Sequence, residues 1–204
     1  MAAQSKRKLA ILTFVTLDGV MQAPSQPEED ASRGFDRGGW ARPWWDEVMA
    51  DVQQEAMAEP YDLLLGRKTY DIFAPHFANA GDNGDGVTRR LNEATKYVVT
   101  NSLQSLDWSP SVVIGGDVIQ RTKELKAEDG KLLQVHGSWE LIQTLLASDL
   151  IDEFRLWTFP VLAGGGKCLF DGRALPSGLT LVTSGATPGG VVKTIYRRDH
   201  PAAI

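Results

Sequence analysis

Six short apolar runs, most of them followed by a stretch of helical spacing, constrain this chain more than any other feature. The runs occupy residues 9–14, 63–65, 97–99, 112–114, 132–135 and 154–159, and unbroken apolar runs of this length read as strands buried on both faces. Helical spacing fills 44–57, 68–73, 87–94, 118–126 and 138–147. Alternation of the two predicts βα units, and hence a largely parallel sheet with helices on both faces. Near its end the chain breaks this rhythm. LTLVTSGATPGGVVKTIYRRD, residues 179–199, reads as strand, Gly/Pro turn, strand, with no room for a crossover helix, so the sheet should finish in an antiparallel hairpin. The expected class is α/β. No internal repeat or linker divides the 204 residues, which predicts one domain over 1–204. Two segments read as loops: 22–39, long enough to form a lid, and 79–86, with the sequence NAGDNGDG.

Composition removes several function classes. A lone cysteine, Cys168, excludes an intramolecular disulfide framework, no Cys/His spacing suits zinc, and a reducing, cytoplasmic setting is expected. The first apolar run follows a basic N-terminus but is interrupted by Thr13, Thr16 and Asp18, so it reads as a strand and not as a secretory signal. No run approaches the roughly 20 apolar residues of a membrane span. With 26 acidic against 21 basic side chains and a net charge of −5, general attraction to nucleic acid or anionic membrane is disfavoured. Any phosphate on a ligand must be held by local groups.

Such groups occur at three strand ends. Asp62-Leu-Leu-Leu-Gly66-Arg67-Lys68-Thr69-Tyr70 is a strand that stops at glycine and enters a helix carrying two cations and a hydroxyl in its first turn. Free N–H groups at a helix start favour an anion, and Arg67 and Lys68 add charge-assisted hydrogen bonds. The same segment also reads as a plain strand-turn-helix with solvated basic residues. A second strand ends in Thr100-Asn101-Ser102, and a third ends in His136 followed by Gly137-Ser138-Trp139-Glu140. Ser138 is a good helix cap, which is compatible with phosphate binding at the same turn. In an open parallel sheet ligands bind beyond the carboxyl ends of the strands, so three such corners suit one extended cofactor. No G-x-G-x-x-G follows the first strand, and Gly164-Gly165-Gly166-Lys167 lacks the spacing of a P-loop and reads as a turn or bulge.

Taken together, Thr16-Leu-Asp-Gly19, LLLGRKTY at 63–70, KYVVTNSL at 96–103, VHGSWEL at 135–141 and DEFRLWTFPVLAGGGKCLF at 152–170 resemble the dihydrofolate reductase-like superfamily, in its riboflavin-biosynthesis reductase branch. The resemblance spans nearly the whole chain and implies a three-layer fold of that type. It further implies hydride transfer from NADPH to a small heterocyclic substrate, with Gly66, Arg67, Lys68 and Thr69 at the cofactor phosphates. Thr100, Asn101 and Ser102 would lie toward the adenosine 2′-phosphate, and Gly137, Ser138, Trp139 and Glu140 along the pyrophosphate and nicotinamide. A homodimer is also implied, with residues 154–162 as a candidate contact.

The chain departs from the family where His136-Gly137-Ser138 replaces the usual Glu-Gly-Gly or Gly-Gly turn. His136 would then sit near the reacting ring, where an imidazole can donate a proton; a structural role for a histidine at a strand end is the alternative. Asp18, after the first strand, is the other candidate acid, or it merely caps the turn at Gly19. Asp46, Glu47 and Asp51 compete to face the substrate from the helix before the GRKT turn, with Asp46 the residue assigned. Trp40, Trp44 and Trp45 open that helix, and Trp44 would stack on the heterocycle unless the cluster is core. A nucleotide-binding protein without turnover, or a dimeric scaffold of the same fold, is the rival reading.

Overall fold

The computed structural model describes residues 7–79, 86–102 and 105–199, so most of the loop expected at 79–86 lies outside the described residues. The elements run β1 (Leu9–Thr16), α1 (Trp45–Glu55), β2 (Tyr61–Gly66), α2 (Arg67–Phe77), α3 (Gly86–Glu93), β3 (Lys96–Val99), β4 (Ser111–Ile114), α4 (Val118–Ala127), β5 (Leu132–His136), α5 (Trp139–Ala147), β6 (Glu153–Phe159), β7 (Leu179–Ala186) and β8 (Val192–Arg198). They form one eight-stranded sheet ordered β4-β3-β2-β5-β1-β6-β8-β7. Strands β4 to β6 are parallel, β8 runs antiparallel to β6, and β7 antiparallel to β8. The α/β class and the antiparallel terminal hairpin are both present.

The unbroken apolar runs arise because the central strands are covered twice. On one face Leu12, Leu63, Leu65, Val98, Trp157 and Phe159 pack with Val48 and Val52 of α1 and Tyr70 of α2. Ile11, Leu64, Leu133, Val135 and Phe154 on the other face meet Leu141, Ile142, Leu145 and Leu146 of α5 and Leu125 of α4. Each such side chain, fully buried, stabilises by roughly 1.5–3 kcal/mol before its ordering entropy is counted. No helix among the described residues is long and apolar enough to cross a membrane.

The helices begin in two different ways. Helix α4 is closed by Asp117, whose carboxylate accepts from the Ile119 and Gln120 amides at 3.0 and 3.1 Å, satisfying two of the orphan donors of a helix start. Helices α2 and α5 have no side-chain cap at Gly66 or Ser138. Ser138, expected to cap α5, instead adopts a left-handed conformation (φ 63) and turns its hydroxyl to β2 and α2. Both uncapped starts lie at the carboxyl edge of the sheet.

Candidate cofactor and active site

Because β3, β2 and β5 are neighbours in the sheet, the three anion-suited corners stand side by side, and side chains tie each to the next. The Ser138 hydroxyl accepts from the Gly66 amide at 2.9 Å and donates to Thr69 Oγ1 at 2.8 Å, locking the β5 corner to the β2 corner. Arg67 donates through Nε to both carboxylate oxygens of Asp71, at 2.8 and 2.7 Å, and through Nη1 to Ser102 Oγ at 3.2 Å, which joins the β2 and β3 corners. Ser102 is itself set by its amide bonding to Thr100 Oγ1 at 3.2 Å. Asn101 Oδ1 accepts from the Gly116 amide at 3.0 Å, adding a fourth corner, after β4, that sequence reasoning passed over. Its signal is the Ile114-Gly115-Gly116-Asp117 run between a strand and a helix. Lys68 is exposed and makes no ion pair within the described residues. Glycine is required at Gly137, where φ is 59 and a side chain would be strained in the left-handed region.

Trp139 does not face this edge as a free ring. Its Nε1 donates to the Cys168 carbonyl at 2.8 Å, while Arg33, Lys167 and Arg173 lie 4.8, 5.6 and 5.1 Å from the indole centroid. The indole thus anchors the 163–174 segment, and what α5 offers a ligand is backbone. The cofactor-contact role expected for the Trp139 side chain is corrected accordingly.

The two candidate acids are unsuited to giving up a proton near neutrality. His136 is buried, with 5% exposure, its Nε2 3.0 Å from Gln134 Oε1 and its ring 5.6 Å from that of Tyr61. Burial, and after it the positive charge of Arg155, holds its pKa down at about 3. A neutral imidazole already hydrogen-bonded inside the α1 face is a structural group. Asp18 is exposed, but its carboxylate accepts from Thr16 Oγ1 at 2.5 Å and from the Ala163 and Gly164 amides at 3.1 and 2.6 Å. Those hydrogen bonds, Thr16's foremost, lower its pKa to about 2, since each favours the charged form. Asp18 therefore ties the turn after β1 to the Gly164–Gly166 turn as a permanent anion.

On the substrate side, Glu47 and Asp51 are committed to the fold. Glu47 accepts from Thr187 Oγ1 at 2.7 Å and the Gly189 amide at 3.2 Å, and Asp51 accepts from Trp157 Nε1 at 2.8 Å and Lys193 Nζ at 3.0 Å. Asp46 is exposed and shares a cleft of about 370 Å³ with Arg42, Trp44, Trp45, Glu47 and Gly189. Trp44 donates to the Gly189 carbonyl at 2.9 Å and meets Phe159 edge to face at 6.0 Å, and Trp40 and Trp45 meet Phe159 and Phe14 in the same way, at 5.2 and 5.9 Å. The tryptophans are thus partly core, with one wall of the cleft left open. The 22–39 loop is folded down on the Gly-rich turn: Lys167 Nζ pairs with Asp30 at 2.5 Å, Gln22 Nε2 bonds the Asp30 and Ser32 carbonyls at 2.9 and 3.0 Å, and Arg37 reaches the Ala163 carbonyl.

Comparison with known proteins agrees with this architecture. The family described as the RibD C-terminal domain matches residues 7–193. The chain is 28% identical over 136 residues to the uncharacterized protein YyaP of Bacillus subtilis, covering 66% of this chain and 72% of that one. By structure it is similar to a diaminohydroxyphosphoribosylaminopyrimidine deaminase/5-amino-6-(5-phosphoribosylamino)uracil reductase from Thermotoga maritima, at a TM-score of 0.65 and 14% identity over 95% of this chain and 57% of that one. It is similar also to dihydrofolate reductase from Enterococcus faecalis complexed with NADP(H), at a TM-score of 0.62 and 14% identity over 96% and 98%. The dihydrofolate reductase-like fold is common to all three.

Proposed function

The chain belongs to the RibD C-terminal domain family, and from that premise we propose that it is an NADPH-dependent reductase acting on a small heterocyclic substrate in the cytoplasm. The observation that carries this reading is the row of linked corners at one sheet edge, two of them uncapped helix starts. Gly66, Arg67, Lys68 and Thr69 would hold the pyrophosphate, whose charge the amides of α2 and the two cations neutralise. Thr100, Asn101 and Ser102 would face the 2′-phosphate, with Arg67 shared between the two because it already bonds Ser102. Gly137, Ser138 and the first amides of α5, at Trp139 and Glu140, would line the nicotinamide end.

A reduced nicotinamide bound there supplies the hydride. The chain contributes position and electrostatics: the rigid β5 corner fixes the donor side, and the cleft walled by Trp44, with Asp46 at its rim, takes a flat ring. Since Asp18 and His136 hold no transferable proton near neutral pH, the proton comes from water or is passed by Asp46. That same lack of a ready acid favours the second reading, a nucleotide-binding protein without turnover.

Titrating NADPH against the purified protein, followed by cofactor fluorescence, tests the site. Arg67→Ala and Lys68→Ala should each weaken NADPH about tenfold, the loss of one charge-assisted contact, and weaken NADH much less. Equal binding of both cofactors, indifferent to either substitution, overturns the assignment. Loss of absorbance at 340 nm with a panel of pteridines, pyrimidines and quinones separates the reductase from the binder.

A further inference from the structure

The outer third of the sheet has its polarity inverted. Helix α1 lies over one face of β6 and β8, where Asp51 bonds both Trp157 and Lys193 and Glu55 pairs with Lys193 at 2.8 Å. The register puts Glu153, Arg155, Lys193 and Arg197 on this covered side. The opposite face carries Phe154 and Leu156 of β6, Val192 and Tyr196 of β8, and Leu179 and Leu181 of β7. Its other positions are Thr, Ser or Ala, except Arg198, which is 6% exposed and paired with Asp149. No helix among the described residues covers it: Val192, Leu181 and Leu179 are 44%, 49% and 39% exposed. A one-sided antiparallel sheet ordinarily keeps its apolar residues on the covered face and its charges on the wet one, so an apolar open face is built for burial.

We propose that this face of β6, β8 and β7 packs against the same face of a second copy of the chain across a twofold axis, forming a sheet-on-sheet dimer. Charge selects the occupant. Two chains of net charge −5 repel except where they meet on uncharged surface, and this face is such a surface and is complementary to itself, as an isologous contact requires. Leu156, Leu181 and Val192 would interdigitate with their symmetry mates across a layer about 10 Å thick. The β-bulge between Leu181 and Thr183 interrupts the free edge of β7 and disfavours joining the two sheets edge to edge. Phe170, 52% exposed and tilted over Phe154 at 6.3 Å, extends the apolar area from the loop before β7. This face lies away from the linked corners, so the dimer does not depend on the cofactor assignment.

Light scattering on the full chain at 5–50 μM tests it. The wild type should run at twice the chain mass, and Leu181→Glu combined with Val192→Glu should halve that mass while the far-ultraviolet spectrum is unchanged. Val112→Glu, an equally exposed apolar position (43%) on the opposite edge strand β4, should stay dimeric. Amide exchange in β7 and β8 of the wild type should slow as concentration rises, which is independent of how any variant folds. A wild type that is monomeric throughout, a double variant that stays dimeric, or dissociation by Val112→Glu would each overturn the proposal.

Discussion

His136 shows how one residue changes meaning between sequence and structure. As the last residue of a strand at the ligand edge it reads as a proton donor; folded, it is sealed beneath Tyr61 with its pKa held at about 3. An unfolded chain returns the ring to its ordinary value of 6.5, so between pH 6.5 and 3 the unfolded state binds more protons and stability falls as pH falls. The full slope for one proton is about 1.4 kcal/mol per pH unit. Urea unfolding at pH 6.5, 5.5 and 4.5 should therefore show a steeper acid loss for wild type than for His136→Gln, and parallel slopes would refute this account of the ring. Ser138 makes the complementary case. It loses its expected capping role and gains a bridge between two corners, so Ser138→Ala strands the partly buried Gly66 amide. The cost should be about 1–3 kcal/mol in urea, accompanied by weaker NADPH binding; unchanged stability would mean that water replaces the hydroxyl.

Among elements, the Gly164–Gly166 turn is the most constrained connection, because it supports both the turn after β1 and the folded-down 22–39 loop. Gly166 has φ 128, and a Cβ there would come within 2.8 Å of Val20 and 2.9 Å of Phe35. Gly166→Ala combines backbone strain with overpacking, so a loss of roughly 2–4 kcal/mol is expected in thermal or urea unfolding; a loss under ~0.5 kcal/mol would mean that the loop simply lifts. The strands and helices themselves were legible in the sequence because burial on both faces writes an unbroken apolar run, and all six runs became strands. Less of the site could be read. The corners were visible as glycine and small polar residues at strand ends, but the direction of the Trp139 indole depends on Cys168, 29 residues away. The commitments of Glu47 and Asp51 depend on the hairpin more than 130 residues on. Local pattern carries no information about such partners, and the placement of β8 beside β6, which decides the open face, is of the same kind.

At the scale of the whole molecule, the ligand edge draws on five stretches of chain, at 16–18, 66–69, 100–102, 116 and 137–140, joined by a handful of single hydrogen bonds. Little buried apolar area holds these corners to one another; the sheet aligns them, and uncapped amides at α2 and α5 leave positive potential with no anion from the chain to offset it. A molecule so arranged gains more from its ligand than from any internal rearrangement. NADPH at 100 times its Kd should stabilise the native state by about 2.7 kcal/mol, which for a chain of this size is a rise in Tm of roughly 5–10 °C. Scanning calorimetry at fixed protein concentration, so that any dimer equilibrium is held constant, should show that rise for NADPH and a smaller one for NADH at the same concentration. Ser138→Ala should lose part of the ligand-induced shift in addition to its own loss of stability, because the bond that aligns two corners also sets the geometry the phosphates meet. If the variant's Tm falls but its NADPH shift is undiminished, the corners act as separate anchors and the linked cradle is wrong.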